Sequence, residues 1–466
     1  MSQIATSSSA TAASPWRSEI GATLRLAGPL ALANLLQMAV YAIDVVFVAR
    51  LGQEALAAAS LAVALFSIIN WGLLGLTGAV APMVAAELGR RAHSVRDVRR
   101  TLRMALWLAA ACALAGIVIC HFGGALMLAT GQDPKIAMRA QGFLSVLSLA
   151  LVPMIAGNVL RSFVSAMGRP GFATAITALA IVVNSLGNYI FVFGHFGVPA
   201  LGLIGSALSS VITGTITLAA YVLAIQTNRR MRRAHVFGRW WRPEWQRLRT
   251  MVRMGVPIAL TVVAEGALFG SAAFLMGRIA PVQLAAHTLA LQIAAAFFQI
   301  PYGIGQAATI RVGFHYGAGD SAGAARAGWT ALATSLATQC FAAAAMLLVP
   351  QLILSAYVDV AAPENALLIS YATRFLIVAA AFQLFDGVQT VAAGALRGLH
   401  DTRMPMVIAL AGYWLAGFTT AAGLGLGTPL EGLGVWIGLM TGLVVVAALL
   451  LWRWHRRDRL GIFVSV

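Results

Sequence analysis

Three carboxylates interrupt long hydrophobic stretches of this chain, Asp44, Glu265 and Asp386. An ionised acid at the centre of a membrane helix costs about 2.5–3.5 kcal/mol on insertion scales. It persists when it faces water, an ion or a hydrogen-bonding partner, so a reversible cation or proton site is the functional reading. A neutral, hydrogen-bonded carboxyl is the structural one. In Phe382-Gln383-Leu384-Phe385-Asp386-Gly387-Val388-Gln389, both Gln383 and Gln389 lie three residues from Asp386, which puts the three on one helical face. Gln37, Tyr41 and Asp44 follow one another at spacings of four and three, and Asn184 and Asn188 are four apart. These polar groups, with Gln292 in a further apolar stretch, make up the candidate cavity lining. Polar stripes also serve as interhelical glue, a reading that stands equally for the asparagines.

The elements that must position these groups are membrane helices. The chain has 466 residues, 60% of them hydrophobic and 10% charged, with a mean hydropathy of +0.84. A soluble domain carries about 25% charge. Apolar stretches long enough to cross a bilayer fall near 22–48, 58–85, 98–120, 139–161, 172–194, 202–225, 250–277, 284–312, 324–350, 365–392, 406–426 and 432–454. The chain also repeats itself. Pro29 and Pro257, Gly89 and Gly317, and Thr213-Gly214 and Thr441-Gly442 are each 228 apart, and Gly168 and Gly398 are 230 apart. The prediction is an all-α polytopic membrane protein with twelve transmembrane helices forming two six-helix lobes. An even number of spans per copy gives both the same orientation, hence a pseudo-twofold axis along the membrane normal. The lobes are expected at 20–225 and 250–455, with a linker at 226–249 and tails at 1–19 and 456–466. The offset of 228 maps Glu265 onto Gln37 and Asp386 onto Asn158. Acids therefore replace amides in the second lobe alone, as a cation site in that lobe requires.

The net charge of +17 would suggest nucleic acid in a soluble chain. Here the distribution of charge excludes that reading. Apart from Arg50, Lys135, Arg139, Arg278 and Arg374, the basic residues fall at the termini or after even-numbered spans, Arg90, Arg91 and Arg96 among them. The positive-inside rule then places both termini in the cytoplasm, with the basic loops against anionic lipid. Ser2 to Ser14 lacks the basic-then-apolar order of a signal peptide and is expected to be a disordered tail. Arg229–Arg249, with Trp240, Trp241 and Trp245, is expected as a helix lying on the membrane face. Cys112, Cys120 and Cys340 have no paired spacing, so neither a disulfide framework nor a metal site follows. His287 and His315, near span ends, are read as structural.

Several longer motifs point to a family. They are Thr309-Ile310-Arg311-Val312-Gly313 followed by Gly317-Ala318-Gly319-Asp320, and Gly394-Ala395-Leu396-Arg397-Gly398-Leu399-His400-Asp401-Thr402-Arg403-Met404-Pro405. Asp44 with Arg50-Leu51-Gly52, Ala285-Ala286-His287, and Asn184-Ser185-Leu186-Gly187-Asn188-Tyr189 add to them. Together they resemble the multidrug and toxic compound extrusion (MATE) family, its NorM-like branch in particular. The resemblance implies two six-helix lobes around a cleft that opens alternately to either side. It also implies export of organic cations against an inward sodium or proton gradient, without a cofactor. The branch's cation site matches Glu265 and Asp386, with Asp44 contributing. A tyrosine frequent one turn before the span-10 acid is Phe382 here, which removes a hard oxygen ligand and tilts the coupling ion toward protons.

The reading is a monomeric inner-membrane antiporter that exports amphipathic, mainly cationic compounds by competition at carboxylates. A lipid-linked saccharide flippase of the same superfamily would need Arg or Lys in its cavity, whereas the intramembrane charges read from the sequence are acidic. A membrane-embedded enzyme is disfavoured because HExxH, GxSxG and GxxxxGK[ST] elements are missing.

Overall fold

The computed structural model describes residues 15–90, 94–238 and 241–463. The Ser2–Ser14 segment, Arg91 and Trp240 lie outside them. Twelve helices long and apolar enough to cross a membrane occur among the described residues. They are α1 Pro15–Ala49, α2 Gln53–Gly89, α3 Val95–His121, α4 Pro134–Ala166, α5 Pro170–Phe193, α6 Leu203–Thr227, α7 Trp245–Ile279, α8 Pro281–Gly317, α9 Ser321–Leu348, α10 Pro363–Gly398, α11 Arg403–Gly427 and α12 Gly432–His455. A helix satisfies all its backbone groups internally, which the bilayer core demands. The shortest, at 24 residues, rises about 36 Å at 1.5 Å per residue, enough to cross the hydrocarbon.

Local chemistry sets many of the ends. Pro134, Pro170 and Pro281 open α4, α5 and α8, where a missing N–H costs nothing. The Asp133 carboxylate accepts from the N–H groups of Lys135 and Ile136. Left-handed Gly194 ends α5. Asp320 caps α9 by accepting from the Gly323 N–H at 2.7 Å. That bond, with His315 beside it, holds the Asp320 carboxyl below the usual carboxylate range.

The buried side chains form two cores. One lies almost wholly within α2–α6, and the other is built chiefly from α7–α12. The lobes meet along two seams related by the same offset of 228. Gly75 of α2 packs on the backbone of Ala259 in α7, and Gly303 of α8 packs on Ala31 in α1. Gly89 lies against the backbone of Phe314, and Gly317 against that of Ala86. Ion pairs repeat the pattern with charge reversed. Glu19 of α1 takes a bidentate bond from Arg311 of α8 at 2.8 and 2.6 Å, and His315 stands 3.7 Å from it. At the equivalent positions, Arg247 of α7 pairs with Glu87 of α2, and with Asp97 of α3 at 2.8 Å. These contacts cluster at the end of the bundle that carries both termini and hold the cleft shut there.

Several boundaries differ from the sequence reading. Residues 15–19 belong to α1 rather than to a tail, because Glu19 is buried in its pair with Arg311. The linker is not one surface helix. Among its described residues before α7, only Arg229–Arg232 makes a helical turn, Met231, Ala234 and Val236 bury in the first core, and Trp245 already opens α7. Residues past His455 dock too, with Phe463 5.6 Å edge-on to Tyr316.

Candidate functional site

Glu265 projects from α7, and Asp386 and Gln389 from α10. The Gln389 amide donates from Nε2 to Glu265 Oε1 at 3.0 Å and to Asp386 Oδ1 at 3.0 Å. One amide nitrogen therefore links the two acids, holding their nearest oxygens no more than 6 Å apart, twice the 3.0 Å bond. Tyr413 of α11 donates its hydroxyl to Gln389 Oε1 at 2.7 Å, which fixes the amide with its nitrogen toward the carboxylates. Tyr413 sits in a π-helical stretch, Ala411–Phe418. Such wider turns redirect side chains and concentrate at functional sites. Asp386 is only 4% exposed, and Gln389 likewise.

Glu265, Gln389 and Tyr413 face a cavity of about 230 Å³ between the lobes. Trp71, Asn158 and Arg161 line it from the first lobe, and Tyr302, Gln306 and Arg397 from the second. Asp386 lies behind Gln389. The arrangement offers two carboxylates that can bind or release one cation, one of them open to a space large enough for a small organic molecule.

The other sequence candidates are distributed differently. Gln383 is spent on tying helices together: it donates to the Ala294 carbonyl at 2.7 Å and accepts from Gln339 at 2.6 Å. Phe382 is buried against Phe269 and Trp436. Gln292 is exposed and stands apart from the cavity lining. Asp44 forms a second, separate cluster, accepting from Asn184 at 2.9 Å, Asn188 at 2.8 Å and Ser210 at 3.4 Å. Gln37 and Tyr41 line the same stretch of α1 but not the cavity. His287 packs against Trp436 with neither ring nitrogen hydrogen-bonded.

Tyr413, Arg161 and Arg397 are site residues that the sequence reading does not single out. The two arginines also correct one of its premises, because the charges facing the cleft are not acidic alone. Hydropathy puts Arg161 at the very end of its apolar stretch and Arg397 beyond one, since the stretches end near 161 and 392, but α4 continues to Ala166 and α10 to Gly398. The available signal was spacing. Asn158, Arg161, Ser162 and Ser165 follow a helical face, as do Thr390, Ala393, Gly394 and Arg397.

The MatE family model matches residues 29–190 and 257–422, two segments that begin 228 residues apart. A protein of Mesorhizobium japonicum described as a probable multidrug resistance protein NorM is 45% identical over 96% of each chain. One of Brucella suis with the same description is 41% identical over 95% of this chain and 94% of its own. Among solved structures, a multidrug resistance MATE family transporter in an outward-facing conformation superposes with a TM-score of 0.86 at 18% identity, covering 95% of this chain and 97% of that one. A eukaryotic MATE transporter superposes with a TM-score of 0.81 at 20% identity, covering 96% and 99%.

Proposed function

The chain belongs to the MATE family, and from that premise we propose that it is a multidrug efflux transporter exchanging amphipathic organic cations for protons. The observation that carries this is the Glu265–Gln389–Asp386 bridge at the edge of a cavity between the lobes. In a low-dielectric cleft, the same negative charges cannot hold a coupling cation and a substrate cation well at once, so each displaces the other. The lobes then rock about the two seams, exposing the loaded site to one side and then the other. Both termini lie in the cytoplasm, the membrane is the bacterial inner membrane, and a single chain is the working unit.

Protons are favoured over sodium as the coupling ion on two grounds. The amide N–H of Gln389 occupies the space between the acids, where its donor dipole opposes a metal cation. Phe382, buried against Trp436, brings no oxygen. A proton needs no fixed coordination shell, whereas sodium must collect several oxygen ligands. Each coupling cation entering down 100 mV gains about 2.3 kcal/mol, and a tenfold gradient adds about 1.4 kcal/mol. One-for-one exchange against a cationic substrate cancels the electrical part, so the pH gradient must drive it.

The test is efflux of a cationic dye from vesicles under a proton gradient without sodium, set against a sodium gradient at equal pH. Full activity is expected in the first and background in the second. Activity confined to the sodium gradient would overturn proton coupling.

A further inference from the structure

We propose that Arg397 is the floor of the cation site, a fixed positive charge that stops the coupling proton from leaking through the second lobe to the cytoplasm. It thereby obliges every proton that crosses to move with the lobes. This rests on the reading of Glu265 and Asp386 as a proton site in a protein whose termini are cytoplasmic.

The need for such a floor follows from the closed seam. The cleft is shut at the termini end, while Glu265 borders the cavity between the lobes. Antiport requires that the loaded acids communicate with one side at a time. A line of water from them to the termini end would dissipate the gradient without moving substrate. The structure places the start of such a line directly beside the acids. A second, small cavity of about 10 Å³ touches Gln389, and it has room for one water.

Three helices set the depth of this small cavity. Thr261 of α7 precedes Glu265 by four residues, Ala393 of α10 follows Gln389 by four, and Ala409 of α11 precedes Tyr413 by four. All three line it, so it lies about one helical turn from the acids, on the termini side. Arg397, Thr402 and Pro405 line it as well. Arg397 is eight residues past Gln389, about 12 Å further along α10 at 1.5 Å per residue. The loop beyond carries another acid, Asp401, paired with Arg453 at 2.6 Å.

Arg397 is suited to block this line. It makes no hydrogen bond or salt bridge with any described residue, and Glu265 acts on it through space. A guanidinium inside the bilayer is as expensive as an acid, so an unpaired one calls for a role. It keeps its proton at any physiological pH and cannot pass one on. Its charge repels a cation entering the one-water space, as an arginine does in a selective pore. Arg161, which shares the wide cavity, donates to Asn34 at 2.5 Å and does not line the small one.

The test uses the full-length protein in pyranine-loaded liposomes without substrate, under an inside-negative potassium potential set by valinomycin. Wild type should admit protons at the rate of empty liposomes. Arg397→Gln should admit them about tenfold faster or more, because a like charge has left a low-dielectric path. Arg397→Lys keeps the charge and should stay at the wild-type rate, as should Arg161→Gln. Adding Glu265→Gln and Asp386→Asn to Arg397→Gln should abolish the leak, since it passes through the acids.

A wild-type rate in Arg397→Gln would overturn the proposal. So would an equal leak in Arg397→Lys or in Arg161→Gln, or a leak that survives the loss of both acids. If Arg397→Gln does not fold, Ala393→Asp, which offsets the charge from inside the small cavity, should leak in its place. A wild-type rate there would overturn the proposal equally. The coupling reading is tested separately in the same liposomes by adding a cationic dye. Dye transport by wild type without proton movement would refute proton exchange, while the leak rates would still decide the role of Arg397.

Discussion

Glu265→Gln is expected to lower gradient-driven efflux on the order of a hundredfold, with Asp386→Asn close behind. Each substitution keeps the shape of the side chain and removes the charge that the coupling ion and the substrate compete for. An interaction with a charged group in a buried setting is worth up to about 3 kcal/mol, a factor of about a hundred. The hydrogen bond from Gln389 to each acid becomes one between neutral amides, so the fold should survive. Retained expression and an unchanged melting temperature would show that the loss is functional. The control lies in the other cluster. Asp44 is held by Asn184, Asn188 and Ser210 and does not line the cavity, so Asp44→Asn should reduce efflux less than either second-lobe change. A wild-type rate in both Glu265→Gln and Asp386→Asn would remove the site assignment.

The second large effect is expected from a glycine far from any carboxylate of the cavity. Gly317→Leu places a side chain against the backbone of Ala86, and backbone cannot move aside as a flexible side chain can. Overpacking of this kind costs about 1–3 kcal/mol, which shifts an open–closed equilibrium about 5- to 150-fold. Because that contact, the Gly89–Phe314 contact and the Glu19–Arg311 and Arg247–Glu87 pairs sit at the termini end of the seams, the cost falls on the state closed at that end. The variant should therefore favour the opposite state and transport slowly. Spin labels at Val95 and Ala322, in a chain freed of its cysteines, should move apart by several ångströms relative to the parent. An unchanged distance distribution would show that the glycine contacts do not govern closure.

Much of this was legible in the sequence, for identifiable reasons. All twelve spans are where hydropathy puts them, because the bilayer imposes one physical condition along each stretch. The repeat was legible in part because two of its marker glycines, Gly89 and Gly317, sit against backbone where a side chain would clash. The offset linking Gly89 to Gly317 turned out to relate real interlobe contacts. Asp386 and Gln389 were legible as a pair because helical spacing fixes which side chains share a face. Their bridge to Glu265 was not, since it joins two helices. Tyr413 escaped because its approach to Gln389 depends on the π-helical turn as well as on tertiary packing. The misplacement of Arg161 and Arg397 has one cause. Hydropathy reports where apolarity ends, while helices α4 and α10 run on past that point and carry the arginines along the cavity wall. Glu19 was lost in the same way at the start of α1.

Competition between a substrate cation and a proton for the Glu265–Asp386 pair is tested most directly by counting protons released on binding. In weakly buffered detergent solution without a gradient, adding a cationic substrate to wild-type protein near pH 7 should release about one proton per bound cation, as displacement at a shared carboxylate requires. Glu265→Gln should release markedly less. Substrate binding that releases no proton, in the presence or absence of sodium, would contradict competition at a shared site.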